Sequence, residues 1–553
     1  MGSAGIPTSS DSKSRSFESS AAQAKPRQFY VLVPQRKQHP VARRERPAVH
    51  NLPDDLLLRI FIFNALYNPN DFVGYRPSKD ARRCSQVCRR WRYCSLAAPL
   101  LWATSLDLSD PILWLREVIF RTGSCPVDVV APSPFPLLSK RIFNRPLSLF
   151  KLQVTSSDLK YDEQNMVLAM MLFCRSRSFY LSLRNEMCEE ELDLPGIAAG
   201  VIEMLQTPAP DLRTLCLKLP VPVWDSMSTR LFGAFSSIRH LGLCALSNKV
   251  SVTILWLGIL RRMESLESLE LHYHIYSTRD TVLADPCDVQ RVDMLNLQYL
   301  RLHGDNQMCN LILQKLWLRP DLDLQVEIAD GTDGRYFDAL MDDINYKLET
   351  LNGVSTQRGF KIDCTSNIFS ISTVPVNALS VGKLSVEWLT DDDGHYRQIF
   401  DKAVLIMQTA CPTITYMQLH VGLYNVALRD PHWASLLQHF PKIQLLSIIE
   451  YRTLLRLLPL ITYGPADFNS LLLPEIMTLE IAYFEKDDRR RKHELFTYRA
   501  REDFLLDFLQ WRPTIKKIKL RECFDFPRHL FPNYIVEGDN IGIDSRNMKK
   551  IGL

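Results

Sequence analysis

One hydrophobic pattern recurs along most of the chain: an apolar residue, two variable residues, a second apolar residue, one variable residue and a third apolar residue. Nine copies occur from 212–217 to 515–520, most of them 26 to 39 residues apart, with one step of 84 residues. Alternating apolar and variable positions are typical of a strand with one buried side. We expect degenerate copies at 320–328 and 359–364, inside the long step, and an earlier copy at 179–183.

The segments between the copies predict helices, most clearly at 251–261, 400–409, 431–440 and 502–511. In five copies a proline lies two residues before the first apolar position, namely Pro210, Pro412, Pro441, Pro474 and Pro513. Because proline cannot continue a helix and biases the chain toward an extended conformation, it indicates that a helix ends and a strand begins. The pattern therefore predicts strand–helix units of about 30 residues.

This repeat resembles that of leucine-rich-repeat proteins over residues 175–525. The resemblance implies an irregular α/β solenoid, in which the apolar positions point into the core and the variable positions line a ligand-binding surface. The predicted outward residues are Arg213, Thr214, Arg239, His240, Glu267, Ser268, Gln298, Tyr299, Thr415, Tyr416, Gln444, Met477, Thr478, Lys516 and Lys517. Because the spacing is unequal, an α/β domain with a parallel sheet is the alternative.

Residues 50–66 predict the first of two helices that precede the repeats. Pro53 suits the first turn, where its missing N–H would be unpaired anyway. Asp54 and Asp55 follow, where carboxylates interact favourably with the positive end of the helix dipole. Apolar residues lie around much of this helix, so both of its sides need to be covered. They are Leu56, Leu57, Ile60, Phe61 and Phe63.

A second helix is predicted from about Asp80. Cys84, Val87, Cys88 and Trp91 fall at i, i+3, i+4 and i+7, which places them in one apolar stripe. The other side is predicted to be a solvated face and carries Arg82, Arg83, Gln86, Arg89, Arg90 and Arg92. The cysteines of this segment are expected to be small buried hydrophobes, because no second pair of metal ligands lies near them.

Three stretches of this region, LPDDLLLRIF at 52–61, QVCRRWRYCS at 86–95 and APLLWATSL at 98–106, resemble the three parts of an F-box. The Pro-x-Leu-Trp ending is similar to the version found in fungal F-box proteins. The resemblance implies a small all-α module that binds a Skp-type adaptor and, through it, the cullin and RING subunits of an SCF ubiquitin ligase. The adaptor-facing residues implied by it are Leu52, Pro53, Leu56, Ile60, Phe61, Val87, Cys88, Trp91 and Trp102. The alternative is a helical cap that buries these residues on its own chain.

The predicted domains are a basic Ser-rich tail (1–48), the F-box (49–108), a linker with a first degenerate repeat (109–174), the repeats (175–525) and a carboxy-terminal tail (526–553). The first segment holds nine Lys or Arg against three acidic residues, a net charge of +6. It cannot bury enough apolar area to offset its ordering entropy, so we expect it to be disordered. The rest carries −2, which argues against a protein built around nucleic acid.

Composition narrows the function classes further. The thirteen cysteines form no framework and no Asn-x-Ser/Thr site occurs, so we expect a reducing compartment, cytoplasmic or nuclear. Apolar runs such as 252–260 reach about half of the roughly 20 residues that a membrane-spanning helix needs. Neither a nucleophile elbow, a phosphate-binding glycine loop nor a zinc-protease motif is present, and the His272-x-His274 pair lacks a third ligand. We therefore expect no enzyme, no cofactor and no metal.

Together these features predict the substrate-recognition subunit of an SCF-type ubiquitin ligase, whose repeats bind an unknown target protein. One alternative is a repeat scaffold that binds the adaptor or other partners without ubiquitination. Another is a nucleic-acid-associated repeat protein that acts through its basic tail.

Overall fold

The structure is a computed structural model. It describes residues 52–65, 77–104, 106–108, 110–132, 149–156, 176–183, 194–226, 235–247, 249–274, 290–319, 321–330, 334–354, 358–365, 368–375, 383–389, 393–410, 413–421, 428–449, 451–463, 472–482, 505, 508–521 and 534–539. The predicted tail at 1–48 lies outside these residues.

The described segments form helices and strands in alternation through most of the chain. The helices are α1 Asp54–Ala65, α2 Pro77–Cys84, α3 Arg89–Leu96, α4 Pro99–Ala103, α5 Ile112–Thr122, α6 Leu194–Gln206, α7 Val221–Ser226, α8 Val250–Leu260, α9 Asn306–Lys315, α10 Gly334–Val354, α11 Asp393–Ala410, α12 Asp430–His439 and α13 Tyr451–Tyr463. The strands are β1 Leu106–Asp107, β2 Val127–Pro132, β3 Leu149–Ser156, β4 Ser176–Leu183, β5 Thr214–Lys218, β6 His240–Leu246, β7 Ser268–Tyr273, β8 Val292–Asp293, β9 Tyr299–Asp305, β10 Leu316–Trp317, β11 Asp323–Asp330, β12 Arg358–Cys364, β13 Ile368–Pro375, β14 Leu384–Leu389, β15 Tyr416–Val421, β16 Leu445–Ile449, β17 Thr478–Ala482, β18 Lys517–Arg521 and β19 Ile535–Asp539.

Seventeen of these strands form one sheet, and β8 pairs with β10 separately. From β1 to β7 each strand is parallel to the one before it, and the series continues through β9 and β11. Strands β15 to β19 again follow in order. The predicted strands are confirmed: in eight of the nine copies a strand begins two residues after the first apolar position.

A four-residue turn leads into the strand in most copies. The N–H of Leu212 donates to the carbonyl oxygen of Ala209 over 3.1 Å, with Pro210 at the second position. The same bond closes the turns that end at Ile238, Leu266, Leu297, Ile443, Ile476 and Ile515. Proline is favoured at the second position of such turns because its fixed φ matches the turn. Pro210, Pro441, Pro474 and Pro513 therefore belong to this turn, whereas Pro412 lies outside the described residues.

Strands β12 to β14 interrupt the sequential order. After β11 the chain passes through the 21-residue helix α10. Strand β14 pairs with β11, β13 lies between β14 and β12, and β12 pairs with β15. Both pairings of β13 are antiparallel, and every other pairing of the described strands is parallel. The step of 84 residues thus contains strands at both predicted positions, but these strands do not pair in chain order.

The sheet has one buried side and one polar side. Along β9, for example, Leu300 and Leu302 are buried, while Arg301 and His303 on the opposite side are half-buried. Rings from strands and helices meet on the buried side. Phe369 lies 5.6 Å from Trp388 and 5.7 Å from Phe400, measured between ring centroids. None of the described helices is both long enough and apolar enough to cross a membrane.

Two of the predicted segments outside the repeats contain regular structure. Residues 109–174 include α5, β2 and β3. The predicted carboxy-terminal tail at 526–553 includes β19, which pairs with β18 in parallel. Its apolar start at Ile535 and Val536 was too short to stand out as a copy of the repeat.

Candidate docking surface

Helix α1 presents two apolar faces. Leu57 and Phe61, four residues apart, are completely buried. Leu56, Ile60 and Phe63 form a second stripe, and their exposed fractions are 42%, 43% and 76%. The described part of the chain therefore covers one face of α1 and leaves the other open.

Contacts between α1 and α3 hold the first face in place. The Phe61 and Trp91 ring centroids lie 4.7 Å apart. At the start of α1, Oδ1 of Asp54 accepts a hydrogen bond from Nε of Arg90 over 2.8 Å. This bond lowers the pKa of the Asp54 carboxyl. The pair lies at the surface, so it fixes geometry more than it adds stability.

Trp102 anchors α4 against α3 and α5. The side chain is completely buried, and its Nε1–H donates to the carbonyl oxygen of Ser95 over 2.7 Å. The guanidinium of Arg121 lies 4.5 Å from the ring centroid, and Trp114 packs edge-on at 5.9 Å. A cation over an indole ring is attracted by its electron-rich face.

The second predicted helix is in fact two helices. Helix α2 ends at Cys84 and α3 begins at Arg89, with Cys88 as the N-cap residue that accepts a hydrogen bond from the N–H of Trp91. Nε of Arg92 donates to the carbonyl oxygen of Ser85 in the intervening turn. The prediction of one continuous stripe is therefore wrong. The side chains of Cys88 and Arg92 bond to the N–H of Trp91 and the carbonyl oxygen of Ser85, which a continuous helix would have paired with other backbone groups.

The break changes where several side chains lie. Val87 sits in the turn and is 60% exposed. The residues predicted to form a solvated face are exposed, apart from the half-buried Arg90. Arg83 pairs with Asp80 at 3.0 Å, and Arg82 lies 5.4 Å from the ring centroid of Trp114.

The residues predicted to face an adaptor fall into three groups. Leu56, Ile60 and Val87 are exposed, as is Pro53, while Leu52, Cys88 and Trp91 are half-buried. Phe61 and Trp102 were also predicted to face the adaptor, but both are completely buried by their own chain. Exposed apolar residues that were not predicted are Phe63, Tyr93, Leu96 and Leu100. Helical spacing identified both stripes of α1 but could not say which one the chain itself covers.

The cysteines of this region behave as small apolar residues. Cys84 and Cys94 are buried, and burial raises the pKa of both thiols. Neither is poised as a nucleophile, because nucleophilic cysteines need a lowered pKa. Among the described residues, no group of three or more His, Cys, Asp or Glu side chains could hold a metal ion.

The polar side of the sheet is a second candidate surface. The predicted outward residues came from the second and third positions of eight copies. The third positions lie on the polar side of their strands together with the fifth positions, which were not predicted, and the second positions precede the strands. These fifth-position residues include Glu270 and Arg301, which lie opposite each other on β7 and β9. Nη2 of Arg301 donates to both carboxylate oxygens of Glu327, at 2.8 and 3.1 Å.

Charges near the middle of this side interact across strands. Nδ1 of His420 lies 2.9 Å from Oδ1 of Asp363. Burial, together with the nearby carboxylates Glu327 and Asp363, raises the pKa of Glu387. His272 stacks on His303 with ring centroids 5.5 Å apart, and burial followed by the charge of His272 lowers the pKa of His303. The polar side thus carries a dense set of charges with no single sign.

Comparison with protein families identifies an F-box-like domain at residues 49–106. This stretch includes α1 to α4 and ends at Leu106 in β1. It confirms the F-box predicted from the motifs at 52–61, 86–95 and 98–106. No curated protein matches the chain.

Proposed function

We propose that this chain is the substrate-recognition subunit of an SCF-type ubiquitin ligase. F-box-like domains typically bind Skp-type adaptors, and such a domain occupies residues 49–106. The observation that supports the proposal most directly is the exposed apolar stripe Leu56, Ile60 and Phe63 along α1. In this proposal the stripe is the face that the adaptor covers.

Apolar burial supplies the energy for such docking. Removing apolar surface from water is worth about 25 cal/mol per Å². Two further residues of the same domain add exposed apolar area. Val87 lies in the turn before α3, and Leu100 lies on α4. Phe61 and Trp102 would contribute by positioning these helices, since both are buried.

The large sheet would hold the target protein in this proposal, and the chain would carry out no chemistry itself. Its repeated strands and turns are consistent with the leucine-rich-repeat interpretation, which we retain as part of the proposal. Holding the target near a ubiquitin-charged enzyme raises the effective concentration of its lysines. The cullin and RING subunits would be reached through the adaptor.

The proposal is tested with the double variant Ile60→Asp/Val87→Asp. Co-expressed with a Skp-type adaptor, the unmodified chain should co-elute with it on gel filtration. The double variant should bind at least about a hundredfold more weakly, because docking would bury two carboxylates without partners. Leu405→Asp is the matched control, since Leu405 is an equally exposed apolar residue on α11 and should leave binding unchanged.

Two results would contradict the proposal. The first is a folded chain that does not bind the adaptor, and the second is a double variant that binds as tightly as the Leu405→Asp control. The adaptor could bind while the half-life of co-purifying proteins in cells is the same with and without this chain. In that case the chain is a scaffold without ubiquitination.

A further inference from the structure

The polar side of the sheet has a low region where β13 and β14 lie side by side. In the register of these two antiparallel strands, Ser372 is paired with Ser385 and Ser370 with Glu387. Side chains alternate between the two sides of a strand, and the residues between these four are buried, so the four lie together on the polar side. We call them the serine trough.

Longer side chains lie on the strands at either side of the serine trough. On β11, Gln325 and Glu327 pair in register with the β14 side of the trough. On β12, Lys361 and Asp363 pair in register with its β13 side. The three short serines therefore form the floor of a groove that is two strands, or about 10 Å, wide.

The charged groups on both sides of the groove are paired within the chain. Nη2 of Arg301, on β9, donates to Oε1 of Glu327 over 2.8 Å. Nδ1 of His420, on β15, lies 2.9 Å from Oδ1 of Asp363, and Nζ of Lys361 lies 3.6 Å from Oδ2. These carboxylates therefore have cations or hydrogen-bond partners of their own.

Glu387 differs from them. It is half-buried, and it makes no hydrogen bond or ion pair with the described part of the chain. Burial, followed by the charges of Glu327 and Asp363, raises the pKa of its carboxyl, and the opposing effect of Arg301 is smaller. The hydroxyl groups of the three serines likewise have no partner among the described residues. A half-buried carboxylate without a cation is destabilised, and a bound positive charge would relieve this.

An ammonium group fits these polar side chains. It carries one positive charge and three N–H donors on a compact centre. Glu387 supplies the opposite charge, while Ser370, across from it, and Ser385, two residues before it, supply hydroxyl oxygens. A guanidinium prefers two parallel bonds to one carboxylate and would use fewer of these acceptors. Lys383 is four residues before Glu387, about 13 Å along the strand, so it does not fill this place.

We propose that the serine trough binds a lysine side chain of a partner protein, carried on an extended segment that lies along the groove. The ammonium would pair with Glu387 and donate hydrogen bonds to Ser370 and Ser385. Only the identification of this partner as the ubiquitination target rests on the proposed function. The binding site itself does not depend on it.

The test uses the full-length chain and a fluorescein-labelled dodecapeptide of alternating Lys and Ser, measured by fluorescence anisotropy. The peptide should bind, and binding should weaken as salt is added. The same peptide with every lysine acetylated should not bind, because acetylation removes the charge. A matching peptide of Arg and Ser should bind more weakly than the lysine peptide. Glu387→Gln should weaken binding about tenfold or more, because it removes the charge and keeps the shape of the side chain.

Glu349→Gln is the matched control, because Glu349 is exposed on α10 and the net charge changes equally. Thermal unfolding supplies a second readout. At pH 7, Glu387→Gln should unfold at a higher temperature than the unmodified chain, because an unpaired, half-buried charge is removed. Weaker binding by a more stable variant separates loss of the site from loss of the fold.

The proposal is overturned if the lysine peptide does not bind, or if Glu387→Gln and Glu349→Gln bind it equally. Tighter binding of the arginine peptide would also overturn it. So would a lower unfolding temperature of Glu387→Gln, since the carboxylate would then have a partner in the chain without ligand. Adaptor binding should be the same in both variants, so failure here is separate from failure of the proposed function.

Discussion

Phe61 and Trp102 illustrate how burial assigns roles to residues of the same kind. Both are apolar members of the F-box-like domain, yet each is completely buried by its own chain, whereas Ile60, beside Phe61 in sequence, is 43% exposed. One hundred degrees of helical rotation separate such neighbours, so adjacent apolar residues point to different surroundings. Substitutions at the buried pair would change stability first and adaptor binding only as a consequence.

Asp343 provides a prediction at the scale of a single residue. It is half-buried on α10, and its Oδ2 atom has no hydrogen-bond partner among the described residues. Burial, followed by repulsion from Asp342, raises its pKa to about 6. A raised pKa favours folding below the unfolded pKa, and this advantage is lost as the pH rises through about 6.

We therefore expect Asp343→Asn to raise the free energy of unfolding by about 1 kcal/mol above pH 7, after allowing for solvent screening. The gain should shrink near about pH 5, where Asp343 is largely protonated in the folded chain. Thermal unfolding at the two pH values measures this. An equal gain at both would mean that ionisation of Asp343 is not the cause.

At the scale of elements, a few side-chain hydrogen bonds position the irregular part of the sheet. The β12–β13 hairpin is the point at which the strand order departs from the chain order. The hydroxyl of Tyr396, on α11, lies 3.2 Å from the carbonyl oxygen of Thr365 and 2.9 Å from that of Ile368. These carbonyls flank the hairpin turn, so one helix residue ties α11 to the two strands beneath it.

Tyr396→Phe should lower the free energy of unfolding by about 1 kcal/mol, because the half-buried carbonyl oxygens of Thr365 and Ile368 lose the tyrosine hydroxyl as a donor while the ring remains. Amide hydrogen exchange should become faster in residues 358–375 and stay the same in β16 and β17. Thr409→Val is a suitable control, since it removes a hydroxyl that bonds to the carbonyl oxygen of Leu405 on the exposed side of the same helix. Faster exchange throughout the chain would argue against a local role for Tyr396.

At the scale of the whole molecule, the sheet extends by adding one strand after another. Among the described strands, β1 and β19 each have one neighbour, β2 and β18. Stability in such an arrangement comes mainly from contacts between adjacent units. A terminal strand lacks half of these contacts.

We therefore expect β19 to open more readily than strands inside the sheet. Ile535, at its start, is 60% exposed, whereas Ile448 and Ile481 in β16 and β17 are completely buried. Amide hydrogen exchange at 535–539 should be faster than at 445–449 and 478–482, because terminal elements open at lower free energy. Equal protection in the three strands would indicate that β19 is covered by a further contact.

The sequence by itself determined the features that depend on local periodicity. The spacing of Leu212, Leu215 and Leu217 and its eight repetitions placed the strands, because a half-buried strand requires alternation whatever lies next to it. In the same way, the apolar positions of α1 and the motifs at 52–61, 86–95 and 98–106 were sufficient for the F-box-like domain. The prolines before the strands marked the end of each helix in the sequence. Their place at the second position of a β-turn became visible only in the structure.

Only the tertiary structure decided which apolar faces stay open and how the strands are ordered. Leu56 and Leu57 are alike in sequence, and the packing of α3 and α4 against one side of α1 leaves the first exposed and the second buried. The reversed order of β12 to β14 depends on which strands become neighbours. Arg177 and Arg213 are 36 positions apart in the chain, and they meet because β4 and β5 pair in register. Periodicity specifies the pleat of one strand, whereas the choice of neighbour depends on long-range packing that no local pattern records.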